Sequence, residues 1–353
     1  MRNEITYLLG NGNFKKMVKG AQSDPFSGVI GTFMGRDALA LAVSYLALKP
    51  NDTVLLPAYL CREVLRPFLG KTMVIFYDIR PDLTVDPEEI RLKLSGAAIR
   101  MMFIINYFGF LQPYREEIKK ICKERDVILI EDCAHSLLTE DSGKTGDLSI
   151  YSFRKIIPVP DGGGLKMNSG GRAVPAVFYP KIYSNVLSVL IILKSLLKVR
   201  AEMFSRAGQA NRTEERAPGA TDVQTNRRIL PLSSFAYNGI GNTSFADVIG
   251  RRRRDYLYWQ EMAERTHRFT PVFRDLLPGV CPLGFPVTVN DRDSVKSRLL
   301  EKGILLKIHW HLPGEVGSDF VHSHHLSRQT ITFPVYPELS GRERQEIERL
   351  FAS

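Results

Sequence analysis

The chain has 353 residues, 44% of them hydrophobic and 24% charged, enough for a sizeable core in one large domain plus a smaller one. Its formal charge of +10 admits an anionic substrate, a membrane surface or a nucleic acid. The charge is spread out apart from Arg251-Arg252-Arg253-Arg254, and the absence of any nucleic-acid module beside that run argues for a solvated helix face and against a reader of bases, with help in holding a diphosphate as the other reading.

Residues 32–168 alternate helix-like and strand-like segments. Residues 36–48 are rich in Ala and Leu and read as a helix, and 53–57 form an apolar strand ending in Pro57. Residues 61–69 read as helical, and 73–77 as a strand that stops at Asp78. Asp86-Pro87-Glu88-Glu89 is a helix start, with an N-cap acid and proline in the first turn. A strand at 101–105, a charged amphipathic helix at 113–125 and a strand at 127–130 follow. This alternation predicts an α/β fold, with a mostly parallel sheet of the seven-stranded type between helices.

The middle of the chain differs. Residues 180–204 read as helical, but the apolar run at 186–197 is interrupted by Ser188, Lys194 and Ser195 and is too short and polar to span a bilayer. The favoured expectation is an amphipathic helix packed on the protein. A membrane-surface contact is the alternative, because Lys181, Lys194, Lys198 and Arg200 lie within or beside the apolar residues. Residues 205–228 lack an apolar period and predict an exposed, mobile loop. Beyond 251 come a helix at 252–266, strands near 285–289 and 304–309, and a last helix at 341–351. The predicted organisation is a large domain at 1–250, with 180–228 as an insertion, and a small α+β domain at 251–353.

The four cysteines, Cys61, Cys122, Cys133 and Cys281, have neither paired nor metal-ligand spacing, which points to a reducing, cytoplasmic compartment. The N-terminus, Met1-Arg2-Asn3-Glu4-Ile5, lacks a signal-peptide pattern.

The apolar strand Val127-Ile128-Leu129-Ile130 runs into Glu131-Asp132-Cys133-Ala134-His135. Acid at the carboxyl end of a buried strand lies where open α/β sheets bind ligands. Lys155 follows, flanked by Ile156, Ile157, Pro158, Val159 and Pro160, then the turn Asp161-Gly162-Gly163-Gly164. An apolar setting favours the neutral amine that a Schiff-base nucleophile needs. A carboxylate such as Asp132 can hold the pyridinium nitrogen of pyridoxal phosphate. Taken singly, Asp132 reads equally as a helix cap, Lys155 as a surface lysine and the glycines as a tight turn. Together they point to one site. Gly35-Arg36, just before a helix, offers free N–H groups and charge to an anion. His135 is placed to reach a ring oxygen. His309-Trp310-His311 and His322, His324 and His325 lack metal spacing, and no metal site is expected.

With these residues in place the chain resembles the DegT/DnrJ/EryC1/StrS aminotransferases, which are fold-type-I pyridoxal phosphate enzymes. Gly35-Arg36-Asp37-Ala38-Leu39 resembles the family's phosphate-binding helix start, and Asp52-Thr53-Val54-Leu55-Leu56-Pro57 its "GDEVI-P" strand. Asn106-Tyr107-Phe108-Gly109 is similar to its glycine-ended strand motif, and Glu131-Asp132-Cys133-Ala134-His135 to "ED-A-(Q/H)". Ser152-Phe153-Arg154-Lys155 with Asp161-Gly162-Gly163 resembles "SF…K…GG", and residues 330–339 resemble the terminal strand. The resemblance implies an aminotransferase in which Lys155 carries the cofactor, Asp132 faces the pyridinium, and His135 contacts the phenolic oxygen. It also implies that Ser152 and Gly35-Arg36 hold the phosphate, and that Tyr59 or Cys61 faces the ring. The implied donor is L-glutamate, the acceptor a nucleotide-linked keto-sugar of glycan biosynthesis, and the assembly a homodimer. Departures are the shorter Ser-to-Lys interval and a missing "N-x-R-M" stretch before Arg251. The other readings are a pyridoxal phosphate-dependent sugar dehydration, which Lys155 disfavours, and a non-catalytic regulatory or binding protein.

Overall fold

The computed structural model describes residues 26–168, 178–204, 228–267, 269–301, 306–335 and 341–352. Its first part alternates as β1 (Ile30–Thr32), α1 (Gly35–Leu46), β2 (Thr53–Pro57), α2 (Arg62–Leu65), β3 (Met73–Tyr77), α3 (Pro87–Gly96), β4 (Ile99–Ile105), α4 (Arg115–Glu124), β5 (Ile128–Asp132), β6 (Leu148–Ser152) and β7 (Gly163–Met167). These strands form one seven-stranded sheet in the order β1-β7-β6-β5-β4-β2-β3. Strands β2 to β6 pair in parallel, whereas β7 runs antiparallel to both β6 and β1. Their parallel course brings Pro57, Tyr77, Ile105, Asp132 and Ser152 to one edge.

Chemistry explains why these strands are readable. Val54, Leu55, Leu56 and the run Met101 to Ile104 are fully buried, as expected where helices cover both faces of a parallel sheet. Each such side chain contributes roughly 1.5–3 kcal/mol by leaving water. Asp86 caps α3 by accepting a 3.0 Å bond from the Glu88 N–H. The helix expected over 61–69 is only one turn, Arg62–Leu65. Pro67 has no N–H to continue it.

The second part contains α5 (Lys181–Phe204), α6 (Ser234–Gly241), α7 (Phe245–Thr266), β8 (Thr270–Pro271), β9 (Gly284–Thr288), α8 (Arg292–Glu301), α9 (Val321–Gln329), β10 (Thr330–Pro334) and α10 (Gly341–Ala352). An antiparallel sheet ordered β10-β9-β8 carries its own core of Trp259, Phe269, Phe285 and Phe333. Helix α7 starts earlier than residue 252 because Ser244 caps it, accepting from the Asp247 N–H at 3.3 Å. It therefore runs through residue 250. Of the strand expected at 304–309, residues 302–305 lie outside the described residues, and Lys307 makes a single bridge to Thr332. The loop expected at 205–228 likewise lies outside them, except for Arg228.

Helix α5 departs from expectation in orientation. Ser184 and Ser188 face the protein and are fully buried, while Ile182, Val186, Leu190 and Leu193 are exposed. The apolar face therefore does not pack on the protein. The buried carboxylate of Asp161 holds the polar face instead, accepting from the Ser188 hydroxyl at 2.5 Å.

Candidate active site

A cavity of about 650 Å³ opens at the carboxyl edge of the parallel strands. Gly35, Arg36, Cys61, Asp132, Ser152 and Lys155 all line it. Its opposite wall comes from the second part of the chain and includes Arg252, Lys307 and His309.

Neighbouring acids on β5 face opposite ways, as alternation along a strand requires. The Glu131 carboxylate is fully buried away from the cavity. It accepts from Asn106 Nδ2 at 2.8 Å and from the Gly143, Thr145 and Gly146 N–H groups, each at 3.0 Å. The three N–H donors fasten the loop between β5 and β6, and Asn106 ties the carboxylate to the end of β4. Asp132 faces the cavity and accepts one bond, from the Ala134 N–H at 2.8 Å. Burial pushes its carboxyl above the usual carboxylate range, and the Lys155 ammonium pulls it back. A cation in the cavity would complete its charge balance.

Lys155 closes a single helical turn, Phe153–Lys155, directly after β6. Its sequence neighbours Ile156 and Ile157 are buried in a hydrophobic cluster. The amine itself is electrostatically coupled to Asp132, His135, Lys307 and His309. The apolar setting read from the sequence thus surrounds the backbone of this turn, whereas charged and polar groups surround the amine.

The glycine turn holds the lysine segment against the start of α1. A Cβ on Gly163 would lie 2.2 Å from the Met34 carbonyl carbon. Only glycine permits that approach. Gly162, at φ 132°, donates its N–H to the Phe33 carbonyl at 2.6 Å. The first turn of α1 consequently sits beside Ser152, whose Oγ would be 3.7 Å from a Cβ on Gly35. The helix N-terminus, the Ser152 hydroxyl, Arg36 and Arg154 converge there. Burial, followed by the nearby Arg36, destabilises the charge on Arg154, and a dianion would relieve that crowding.

Of the two residues considered for the ring face, Cys61 lines the cavity. Tyr59 is fully buried, 5.6 Å from Tyr107 and 5.3 Å from Trp310 between ring centroids. Burial raises the Cys61 thiol, and Lys155 partly offsets that rise. His135 is not among the lining residues. It lies in an aromatic layer, 5.3 Å from the Trp310 ring and 5.6 Å from the His309 ring, and its Nδ1 accepts from the Phe108 N–H at 3.4 Å. Burial, with the Lys155 charge, lowers His135 well below the usual imidazole range. His309, from the second part, reaches the cavity itself. Its Nδ1 is hydrogen-bonded to Thr332 Oγ1 at 2.9 Å, and burial next to Lys155 and Lys307 pushes it down to about 3. Both rings are neutral near pH 7.

The arginine run is solvated at Arg251 and Arg254, but Arg252 departs from that reading. It is only 3% exposed, and its guanidinium donates to the carbonyls of Pro282, Leu283, Lys155 and Ile156. It ties the lysine turn to the second part of the chain. A helical period signals this role, because Arg252 shares a buried face with Tyr256, Trp259 and Ala263. Lys307 has no such signal; pairing between its own backbone and Thr332 brings it to the cavity. Among the described residues, no group of His, Cys, Asp and Glu is placed to hold a metal.

Known proteins resemble the chain in sequence and in fold. Residues 27–176 match the model of the DegT/DnrJ/EryC1/StrS aminotransferase family. A Campylobacter jejuni UDP-4-amino-4,6-dideoxy-N-acetyl-beta-L-altrosamine transaminase is 29% identical over 37% of this chain and 37% of its own length. An Acidithiobacillus ferrooxidans UDP-N-acetyl-3-dehydro-alpha-D-glucosamine 3-aminotransferase is 22% identical over 97% of this chain and 88% of its own. The chain is thus aligned with well under half of the first relative and most of the second. A family aminotransferase from Brucella abortus has the same fold, with a TM-score of 0.64 and 18% identity over 99% of this chain and 87% of its own. A Bacillus subtilis structure solved with bound pyridoxamine phosphate gives 0.65 and 16% identity over 99% of this chain and 80% of its own. The segment 27–176, which supplies Gly35, Asp132, Ser152 and Lys155, is the part that matches the DegT/DnrJ/EryC1/StrS aminotransferase family, and the chain as a whole has the fold of solved aminotransferases of that family.

Proposed function

We propose that the chain is a pyridoxal phosphate-dependent aminotransferase. It would move an amino group from L-glutamate to the keto group of a nucleotide-activated sugar, in a cytoplasmic step of glycan biosynthesis. The observation that carries this reading is the convergence of Asp132 and Lys155 on one cavity whose other end is a helix start flanked by Ser152, Arg36 and Arg154. The residues fit the cofactor chemically: an acid for a ring cation, an amine for an aldehyde, and N–H, hydroxyl and guanidinium donors for a phosphate. The sugar-nucleotide acceptor is supported by the names of the relatives, which include a GDP-perosamine synthase from Vibrio cholerae. Four free cysteines suit a reducing compartment, and we include a homodimer in the proposal.

Bound in the cavity, pyridoxal phosphate supplies an aldehyde for amine exchange and a ring that takes up the electron pair left by a departing proton. Asp132 would hold a negative charge for the ring nitrogen. Lys155 Nζ would be the base that takes the proton from the substrate carbon and the acid that delivers a proton at the other end of the exchange. Neutral His309 offers a hydrogen bond without adding positive charge to a wall that already holds Lys307, and neutral His135 in the layer behind it adds none either. Cys61 keeps its thiol proton and stays a passive flank.

Lys155→Ala is the direct test. The purified variant should lose the visible absorbance of the lysine-bound cofactor and turn over glutamate and keto-sugar nucleotides at background rate. Undiminished transamination in that variant would refute the assignment.

A further inference from the structure

Cations outnumber acids on the cavity wall. Arg36, Arg154, Lys155, Arg252 and Lys307 line it, against Glu63 and Asp132. Most of that positive charge has a use within the protein or at the proposed cofactor. Arg36 pairs with Glu63 at 3.4 Å, and Glu63 also holds Arg66 at 3.2 Å. Arg36 and Arg154 stand with Ser152 at the start of α1, where a phosphate dianion would be held. Lys155 is coupled to Asp132. Arg252 gives its terminal nitrogens to four main-chain carbonyls.

Lys307 is the cation left over. It is exposed and lines the cavity, and its carbonyl is held by the Thr332 N–H at 3.0 Å. Among the described residues, no carboxylate pairs with its ammonium. Desolvation by the surrounding protein, then the charges of Lys155, Arg252 and Arg154, disfavour that ammonium. An anion entering the cavity would answer the repulsion, and a lysine, a compact charge on a flexible stem, suits a single anionic group.

The place of Lys307 relative to Lys155 identifies the anion. Lys155 comes first among the charges that act on Lys307, so the two amines look onto the same space. A molecule that exchanges its amine at Lys155 must bring its reacting carbon there. In an α-amino acid a carboxylate is bonded to that very carbon. In a nucleotide-linked sugar, ring atoms separate the diphosphate from the keto carbon, which carries it further from Lys155.

We propose that Lys307 anchors the α-carboxylate of the amino donor, and so selects α-amino acids from the wall opposite the sheet. The inference rests on reading the cavity as a transaminase site.

The test compares three donors. L-Glutamate carries both carboxylates, its α-amide lacks the α-charge, and L-glutamine lacks only the side-chain charge. Cofactor-loaded protein is titrated with each, following loss of the absorbance of the lysine-bound cofactor. The unmodified chain should respond to L-glutamate at a concentration about 10- to 100-fold lower than to the α-amide, the worth of one charged contact. In Lys307→Met that gap should close, while the gap between L-glutamate and L-glutamine and the uptake of pyridoxal phosphate stay as they were. Lys307→Arg should reopen it. Lys307→Gln carries the test if Lys307→Met loses helix by circular dichroism. The proposal is overturned if the unmodified chain does not discriminate against the α-amide, or if Lys307→Met keeps the gap. It is also overturned if Lys307→Met instead narrows the gap to L-glutamine, which would assign Lys307 to the side-chain carboxylate. Weaker uptake of pyridoxal phosphate with the gap intact would assign it to the cofactor phosphate, and a defect confined to the keto-sugar nucleotide would assign it to the diphosphate; either result overturns it. A chain that takes up no pyridoxal phosphate, or that no amino donor converts, would fail the proposed function itself and this inference with it.

Discussion

The two walls of the cavity are made differently. The sheet wall is local: Asp132 ends a strand, Ser152 ends the next, and Lys155 follows within one turn. The opposite wall is assembled from distant pieces. Arg252 comes from the middle of α7, and Lys307 and His309 are held by backbone and side-chain bonds to Thr332 on β10. The sheet wall therefore sets the chemistry at two strand ends and the turn after them, while the far wall sets charge and shape. Substitutions in the two should fail in different ways.

The sharpest contrast is expected between the adjacent acids of β5. Asp132→Asn keeps the shape but removes the charge facing the ring, and turnover should fall by about 100- to 1000-fold with little change in melting temperature. Glu131→Gln leaves buried N–H groups without a full acceptor and should lower unfolding free energy by about 3 kcal/mol, with the absorbance of bound cofactor retained in whatever fraction stays folded. Equal effects of the two on denaturation midpoint would break the distinction.

Next in size is Arg252→Met. Four carbonyls lose their donor, and stability should drop by about 2–4 kcal/mol. Because two of those carbonyls belong to Lys155 and Ile156, the absorbance of the lysine-bound cofactor should also shift or broaden. A loss of stability with an unaltered spectrum would show that Arg252 fastens the two parts without positioning the lysine turn.

The smallest effect is a pH dependence. His309 is held neutral in the fold down to about 3, whereas an unfolded histidine takes its proton near pH 6.5. The unfolded state therefore binds more protons below pH 6.5. The stabilisation from a neutral His309 is complete above that pH and is lost as pH falls towards 3. Between pH 6.5 and 5 the loss from this residue is about 2 kcal/mol, and His135 changes in the same direction. His309→Asn should flatten the pH dependence of urea midpoints over that range.

The same contrast explains what the sequence disclosed. Buried parallel strands are continuous apolar runs, so β2, β4 and β5 and the acid ending β5 are visible without a structure. Glu131 and Asp132 look alike as letters, and only the pleat separates the fastener from the ring partner. The far wall is illegible because its cations owe their place to long-range pairing, although the period of α7 marks Arg252 as facing inward. Helix α5 packs its serine side inward against expectation, because its period reveals two faces but not which one the protein covers.

The contact between Gly163 and Met34 carries a consequence for how this cavity can change. Main chain meets main chain there, with no side chain between to be enlarged or trimmed. The span from the phosphate end of the cavity to Lys155 is thus fixed like the length of a ruler. New substrates cannot be admitted by stretching that side. They must be accommodated by exchanging residues such as Lys307 and His309 across the cavity, where variation leaves the ruler untouched.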